Sequence, residues 1–372
     1  MGVAAGRRCR RRLWRRTGWG AGALLLALGC GAAPILHECR AERGVTPRCG
    51  FQNPEDLVAL PAGSGLGAWL LVSQMASNPR GAQGDGSLLA YRPEDGVRRP
   101  LFPAASAAPF RPGLGAAGCP GPPDGGFGPH GIDLARSPGG ALRLLVVNHA
   151  GREAVELFDV ARSPAGPSLT WRGCVPLPED VSANDVAALP DGGMVVTKFL
   201  PREQGVGSLL RLALGWNTGR VLEWHPGQGW RAVPGSEESA PNGIAVSPDG
   251  GTLFIASWGR KRLVRLARDG SGRRELELSF HPDNLSWTPD GKLLVAGQKG
   301  SLLKIPSCAQ RESGTCGIGW AVLRVDPADL RVEERVERDP ARVTGAVSVA
   351  LLRGGRLWLG SFASDRLAFL AP

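Results

Sequence analysis

The chain has 372 residues, more than one ordinary core takes, so its length calls for two domains or a radially repeated architecture. Its 42% hydrophobic content excludes a disordered chain, and its 54 Gly and 31 Pro suit an all-β protein dense in turns. The formal charge of +10 is not a nucleic-acid footprint, because Arg7, Arg8, Arg10, Arg11, Arg12, Arg15 and Arg16 carry most of it and leave only about +3 for the rest.

Those arginines precede an uncharged run, "TGWGAGALLLALGCGAAPIL" (17–36), with its densest apolar part at Ala21 to Leu28. A basic region, then an apolar stretch, then small residues around Cys30 to Ala33 reads as a signal peptide or an uncleaved signal anchor over residues 1–36. Either form places residues 37–372 outside the cytoplasm and allows membrane association through this segment. Six cysteines remain beyond it: Cys39, Cys49, Cys119, Cys174, Cys308 and Cys316. In an exported chain they are expected to form disulfides. Cys308 and Cys316, bracketing "AQRESGT", are the best candidates for a local bridge.

From residue 54 onward a hairpin recurs. The Gly-rich turns "LPAGSG", "SPGGAL", "LPDGGM", "SPDGGT", "TPDGKL" and "LRGGRL" each separate a short apolar strand from a second one such as "LRLLVVN", "TLFIASW" or "KLLVAG". Further strands are expected at "GSLLRLAL", "KRLVRLA", "GSLLKI" and "DRLAFL". With no convincing amphipathic helix between them, these units predict a six-bladed β-propeller with four-stranded blades. Residues 104–128 form the longest connecting loop.

The residues that open the first strand of each unit share a plan: "PEDLVAL" (54–60), "PHGIDLA" (129–135), "ANDVAAL" (183–189), "PNGIAVS" (241–247) and "HPDNLSW" (281–287), with Thr344 taken as the opening residue of the sixth. In a propeller the innermost strands line one channel, so Glu55, Asn184, Asn242, Asp283 and Asn284 are expected to converge as a ring of carboxylate and amide oxygens, which suits calcium. Transition metals are disfavoured, with five histidines in the chain and none grouped. Because neighbours on an extended strand point oppositely, Asp56 and Asp185 are expected to face a second, deeper ion. Asp283 and Asn284 can share one ion only if the backbone is irregular at Pro282 to Asn284. His130 and His149, 19 residues apart, suit one hairpin carrying both to the same end of the channel, where one imidazole takes a proton from water while the other fixes its tautomer. The "SLLK" at 301–304 matches a serine acyltransferase motif that needs a helix start, and is read instead as strand.

Taken in order, "NPEDLVALPAG", "FGPHGIDL", "LLVVNHAGREAVELFDV", "ANDVAALP", "PNGIAVSPDG" and "DNLSWTPDGKLLVAG" resemble the paraoxonase/arylesterase family from about Glu55 to the C-terminus. The resemblance implies a calcium-dependent six-bladed propeller that hydrolyses lactones or aryl esters. It implies a catalytic calcium on Glu55, Asn184, Asn242, Asp283 and Asn284, a structural calcium on Asp56, Asp185 and the carbonyl of Ile132, and a histidine dyad at His130 and His149. Family members commonly retain the N-terminal hydrophobic segment. The chain departs from the family in having no cysteine after Cys316 to close the family's long-range disulfide, in Ala240 where an aromatic residue stands, and in its loops, so substrate identity does not transfer. The expected substrate is a small ester or lactone. The alternatives are a non-catalytic, calcium-stabilised propeller that binds a ligand or partner, and an enzyme of the gluconolactonase or strictosidine-synthase type.

Overall fold

A computed structural model describes residues 32–371 apart from 78–83, 104–109, 125, 138, 204 and 303. The arginine run and the apolar run up to Gly31 lie outside the described residues.

The fold is a six-bladed β-propeller. Its innermost strands are Pro54–Ala59, Pro129–Arg136, Val181–Ala188, Pro241–Val246, His281–Trp287 and Val347–Arg353, each pairing antiparallel with the strand that follows its Gly-rich turn. Second strands such as Leu70–Gln74 and Leu142–Asn148 are apolar on both sides because both faces of a blade are covered. Leu70 and Val72 pack with blade 6 while Leu71 packs with blade 2; Leu144 and Val146 face blade 1 while Leu145 and Val147 face blade 3. The hydrophobic core is therefore a ring of six interblade layers, and a seventh cluster caps the end where the inner strands begin.

Blades have four strands, and blade 2 gains a fifth, parallel one at Phe110–Gly115 from within the long connecting loop. Blade 6 is completed from the other end of the chain: Val45–Cys49 pairs with Arg366–Leu370 as its outermost strand. This hydrogen-bonded closure stands where the disulfide was lacking. Cys49 bonds instead to Cys39; the other bridges are Cys119–Cys174 and the local Cys308–Cys316 pair. Three disulfides accord with an oxidising, exported setting. Among the described residues no helix is long and apolar enough to cross a membrane.

Two expected strands are corrected. "GSLLRLAL" is a helix, α1 (Val206–Ala213), which turns Leu212 into the capping cluster and leaves Val206, Leu209 and Leu210 exposed. It ends at Gly215 in the left-handed region (φ 67°), where a glycine stops a helix without steric cost. In the "SLLK" segment Ser301, Leu302 and Lys304 lie outside any strand and precede a 3₁₀ helix, Ile305–Gln310, with proline in its first turn.

Each seam between neighbouring inner strands is stitched by a side chain. Asp56 accepts the N–H of Ile132, Asp133 that of Ala188 and Asp185 that of Ile244, each at 2.8 Å. Trp287 donates to Val246 O at 3.0 Å, Ser286 to Ala350 O at 2.5 Å and Ser348 to Glu55 O at 2.6 Å. The first and last blades are thus joined at the channel as well as at the rim.

Candidate metal and hydrolytic centre

All six inner strands carry a β-bulge at one level. Three residue steps on the inner strand oppose two on its partner at Pro54–Leu57, Pro129–Ile132, Ala183–Val186, Pro241–Ile244, Pro282–Leu285 and Val347–Ala350. A bulge re-aims two consecutive side chains against one partner residue. Its first position holds Glu55, His130, Asn184, Asn242, Asp283 and Ser348, and its second Asp56, Gly131, Asp185, Gly243, Asn284 and Val349. The irregularity expected at Pro282 to Asn284 exists, within a strand and not as a turn. The sixth opening residue is Ser348, not Thr344, which precedes the strand and whose carbonyl accepts the Trp320 indole N–H.

The glycines at the second position are required by close approach. A Cβ on Gly131 would lie 2.3 Å from Asp185 Oδ1 and 2.6 Å from its Cα; one on Gly243 would lie 2.3 Å from Asp283 O. The blade 2 and blade 4 backbones therefore nest directly against the bulges of blades 3 and 5.

Glu55, Asn184, Asn242, Asp283 and Asn284 are all at most 5% exposed. Asn284 Nδ2 donates to Glu55 Oε1 at 2.7 Å, while Glu55 Oε2, Asn184 Oδ1, Asn242 Oδ1 and Asn284 Oδ1 are buried without a hydrogen-bond partner. Buried polar oxygens are rarely left unpaired. Burial and repulsion from Asp56 and Asp283 raise the Glu55 carboxyl well above its ordinary range, and burial pushes Asp283 up to about 7 against opposing hydrogen bonds from Gln298 and Asn242. Among the described residues no lysine or arginine pairs with these acids. Unpaired oxygens within an excess of negative charge are the donor set a hard, oxygen-seeking cation takes. No three His, Cys, Asp or Glu side chains converge among the described residues as a transition-metal site would need.

Asp56 and Asp185 lie on the other side of this ring, lining with Ile132 and Asp133 a channel cavity of about 310 Å³ formed by all six blades. Burial raises both carboxyls, Asp56 to about 7, and Asp185 further through repulsion from Asp56. Each also accepts two backbone N–H groups, so these two differ from the ring above in having no orphaned oxygen.

His130 and His149 meet at the mouth, with His130 Nδ1 and His149 Nε2 2.9 Å apart and the rings edge to face. A third member is Glu153, which the sequence reading missed: its Oε2 lies 2.9 Å from His149 Nδ1. A carboxylate there makes His149 Nδ1 the donor, so His149 Nε2 accepts from His130 Nδ1. The lone pair of His130 Nε2 is then free and lies 3.8 Å from Glu55 Oε1. Burial and the adjacent His149 ring push His130 down to about 3, keeping it neutral at physiological pH. The signal for Glu153 was the i,i+4 spacing from His149 in "NHAGRE". The arrangement sets a neutral imidazole lone pair beside a ring of unpaired, buried oxygens.

No family model and no curated protein sequence matches the chain. Among solved structures it is similar to a luciferin-regenerating enzyme (13% identity over 87% of this chain and 92% of that one, TM-score 0.50). It is similar also to a gluconolactonase of Xanthomonas campestris (16%, 92% and 95%, 0.49) and a virginiamycin B lyase of Staphylococcus aureus (12%, 88% and 99%, 0.47). At such identities the likeness is one of fold.

Proposed function

We propose that this chain is a calcium-dependent hydrolase of carboxylic esters, acting on lactones or aryl esters, as its resemblance to the paraoxonase/arylesterase family implies. The observation that carries the reading is the set of four orphaned, buried oxygens on Glu55, Asn184, Asn242 and Asn284 beside the free nitrogen of His130. With Asp283 these residues would hold the ion. Calcium, when bound, supplies positive charge that polarises a carbonyl and stabilises the oxyanion.

The remaining work falls to the chain. His130 Nε2 takes a proton from water, the hydroxide oxygen bonds to the acyl carbon, and the proton returns to the departing alkoxide or phenoxide oxygen. His149 and Glu153 hold the tautomer and share the charge of the protonated ring. A second calcium between Asp56, Asp185 and the Ile132 carbonyl is supported by the two mutually repelling carboxylates. The partner is then a small ester or lactone, with no nucleic acid, and the N-terminal segment carries the export or membrane association of the chain.

Chelation is expected to abolish aryl-ester and lactone turnover, with calcium restoring it, and His130→Gln to lower kcat about 10²-fold or more. Activity indifferent to chelator overturns the reading. Strong calcium stabilisation in a melting experiment with no turnover on a panel of esters and lactones of graded chain length assigns the chain instead to the non-catalytic, ligand-binding alternative.

A further inference from the structure

Gln298 lies on the second strand of blade 5, wholly buried, and its amide makes three hydrogen bonds. Nε2 donates to Asp283 Oδ2 and, at 2.8 Å, to the carbonyl of Val347 at the start of the blade 6 inner strand. Oε1 accepts the indole N–H of Trp258 at 3.0 Å. An indole nitrogen only donates, so it fixes which end of the amide is oxygen. A flipped amide would set its oxygen against the Asp283 carboxylate and the Val347 carbonyl, with no hydrogen between acceptors.

Trp258, which follows the second strand of blade 4, is itself held. It is 6% exposed, its ring lies tilted over that of His281 at 4.5 Å, and its carbonyl is 2.8 Å from His281 Nδ1. The edge of Phe199 from blade 3 meets it at 6.1 Å. Four blades thus contribute to one chain of contacts ending on a single carboxylate.

We infer that Gln298, oriented by Trp258, is a positioning residue that sets the rotation of the Asp283 carboxylate within the oxygen ring and thereby the affinity of that ring for its cation. The inference rests on the calcium reading and extends it to residues that touch no proposed ligand oxygen other than those of Asp283. Groups that orient a metal-binding carboxylate act on affinity, because a ligand free to rotate must be ordered when the ion binds. A merely structural role would lower stability with and without calcium and leave affinity where it was.

Calcium binding to the chelator-stripped protein, measured by titration calorimetry, separates these outcomes, with thermal unfolding in chelator as the control for folding. Gln298→Met keeps the volume but cannot donate, and is expected to weaken calcium binding about tenfold or more. Trp258→Phe keeps an aromatic ring beside His281 but loses the N–H and part of the buried ring volume, the latter read out by the unfolding control. It is expected to weaken binding about threefold, and by no further factor in the Gln298→Met background, since its effect passes through the amide. Should Gln298→Met fail to fold, Trp258→Phe alone decides. Wild-type calcium affinity in whichever variant folds overturns the inference, as does an additive double variant. Absence of calcium binding in the unaltered protein overturns the calcium reading itself, which is a different result.

Discussion

At the scale of single residues, Glu153 governs the proposed chemistry from two rings away, because the protons of both histidines follow from its charge. An amide at this position could donate to His149 Nδ1 and reverse both tautomers, placing a hydrogen on His130 Nε2. Glu153→Gln is therefore expected to lower kcat about 10²-fold with calcium affinity unchanged; steady-state rates at saturating calcium check this, and a near-normal kcat would remove Glu153 from the relay.

The buried acids make a second prediction at this scale. Glu55, Asp56, Asp133, Asp185 and Asp283 all have raised pKa values, chiefly from burial. All five bind their protons more readily in the folded, metal-free chain than in the unfolded one, so stability falls as pH rises through their folded-state range, which for Asp56 and Asp283 lies near 7. His130 and His281, both lowered by burial, act in the opposite sense below about pH 6.5, two groups against five. In chelator, the melting temperature is expected to be higher at pH 5.5 than at pH 7.5, and a rise over that interval would contradict the burial assigned to these acids.

At the scale of elements, the bulge is the device that turns six ordinary strands into a site. Alternation along a regular strand sends Asp283 and Asn284 to opposite sides, whereas the bulge leaves Asn284 beside Glu55 and Asp283 against Gln298. Oxygen-rich residues at the strand mouths could be read from the sequence because the hairpin repeat fixes their position along the channel. The bulges could not, since an extra residue on one strand is visible only against its partner. The same limit hid Ser348, displaced from Thr344, and made a strand of α1, whose apolar positions satisfy either period. The nesting at Gly131 gives the test: Gly131→Ala is expected to cost about 1–3 kcal/mol by thermal unfolding, because the Cβ meets Asp185 backbone that cannot move aside. An unchanged melting temperature would mean that the blade 2 and blade 3 bulges can part.

At the scale of the whole molecule, closure of the ring depends on the N-terminal strand lying against the last one. Arg366 concentrates this closure: fully buried, it donates to the carbonyls of Leu36, His37, Glu38 and Val343 and pairs with Asp365. Arg366→Met leaves those carbonyls unpaired and is expected to cost about 3 kcal/mol or more in chemical denaturation. A loss near zero would shift the weight of closure to the Val45–Cys49 pairing and the Cys39–Cys49 bridge.

The sequence by itself determined the number of blades, the turn chemistry, the channel position of the oxygen-rich residues and the pairing of Cys308 with Cys316, because each is written in a local pattern or in its repeat along the chain. Only the tertiary structure decided the common bulge, the relay through Glu153, the Gln298 and Trp258 support of Asp283, and the closure of blade 6 by the N-terminal strand. Each of these is a meeting of side chains or strand edges fixed by tertiary register, and only the relay leaves a local trace, the four-residue spacing of His149 and Glu153.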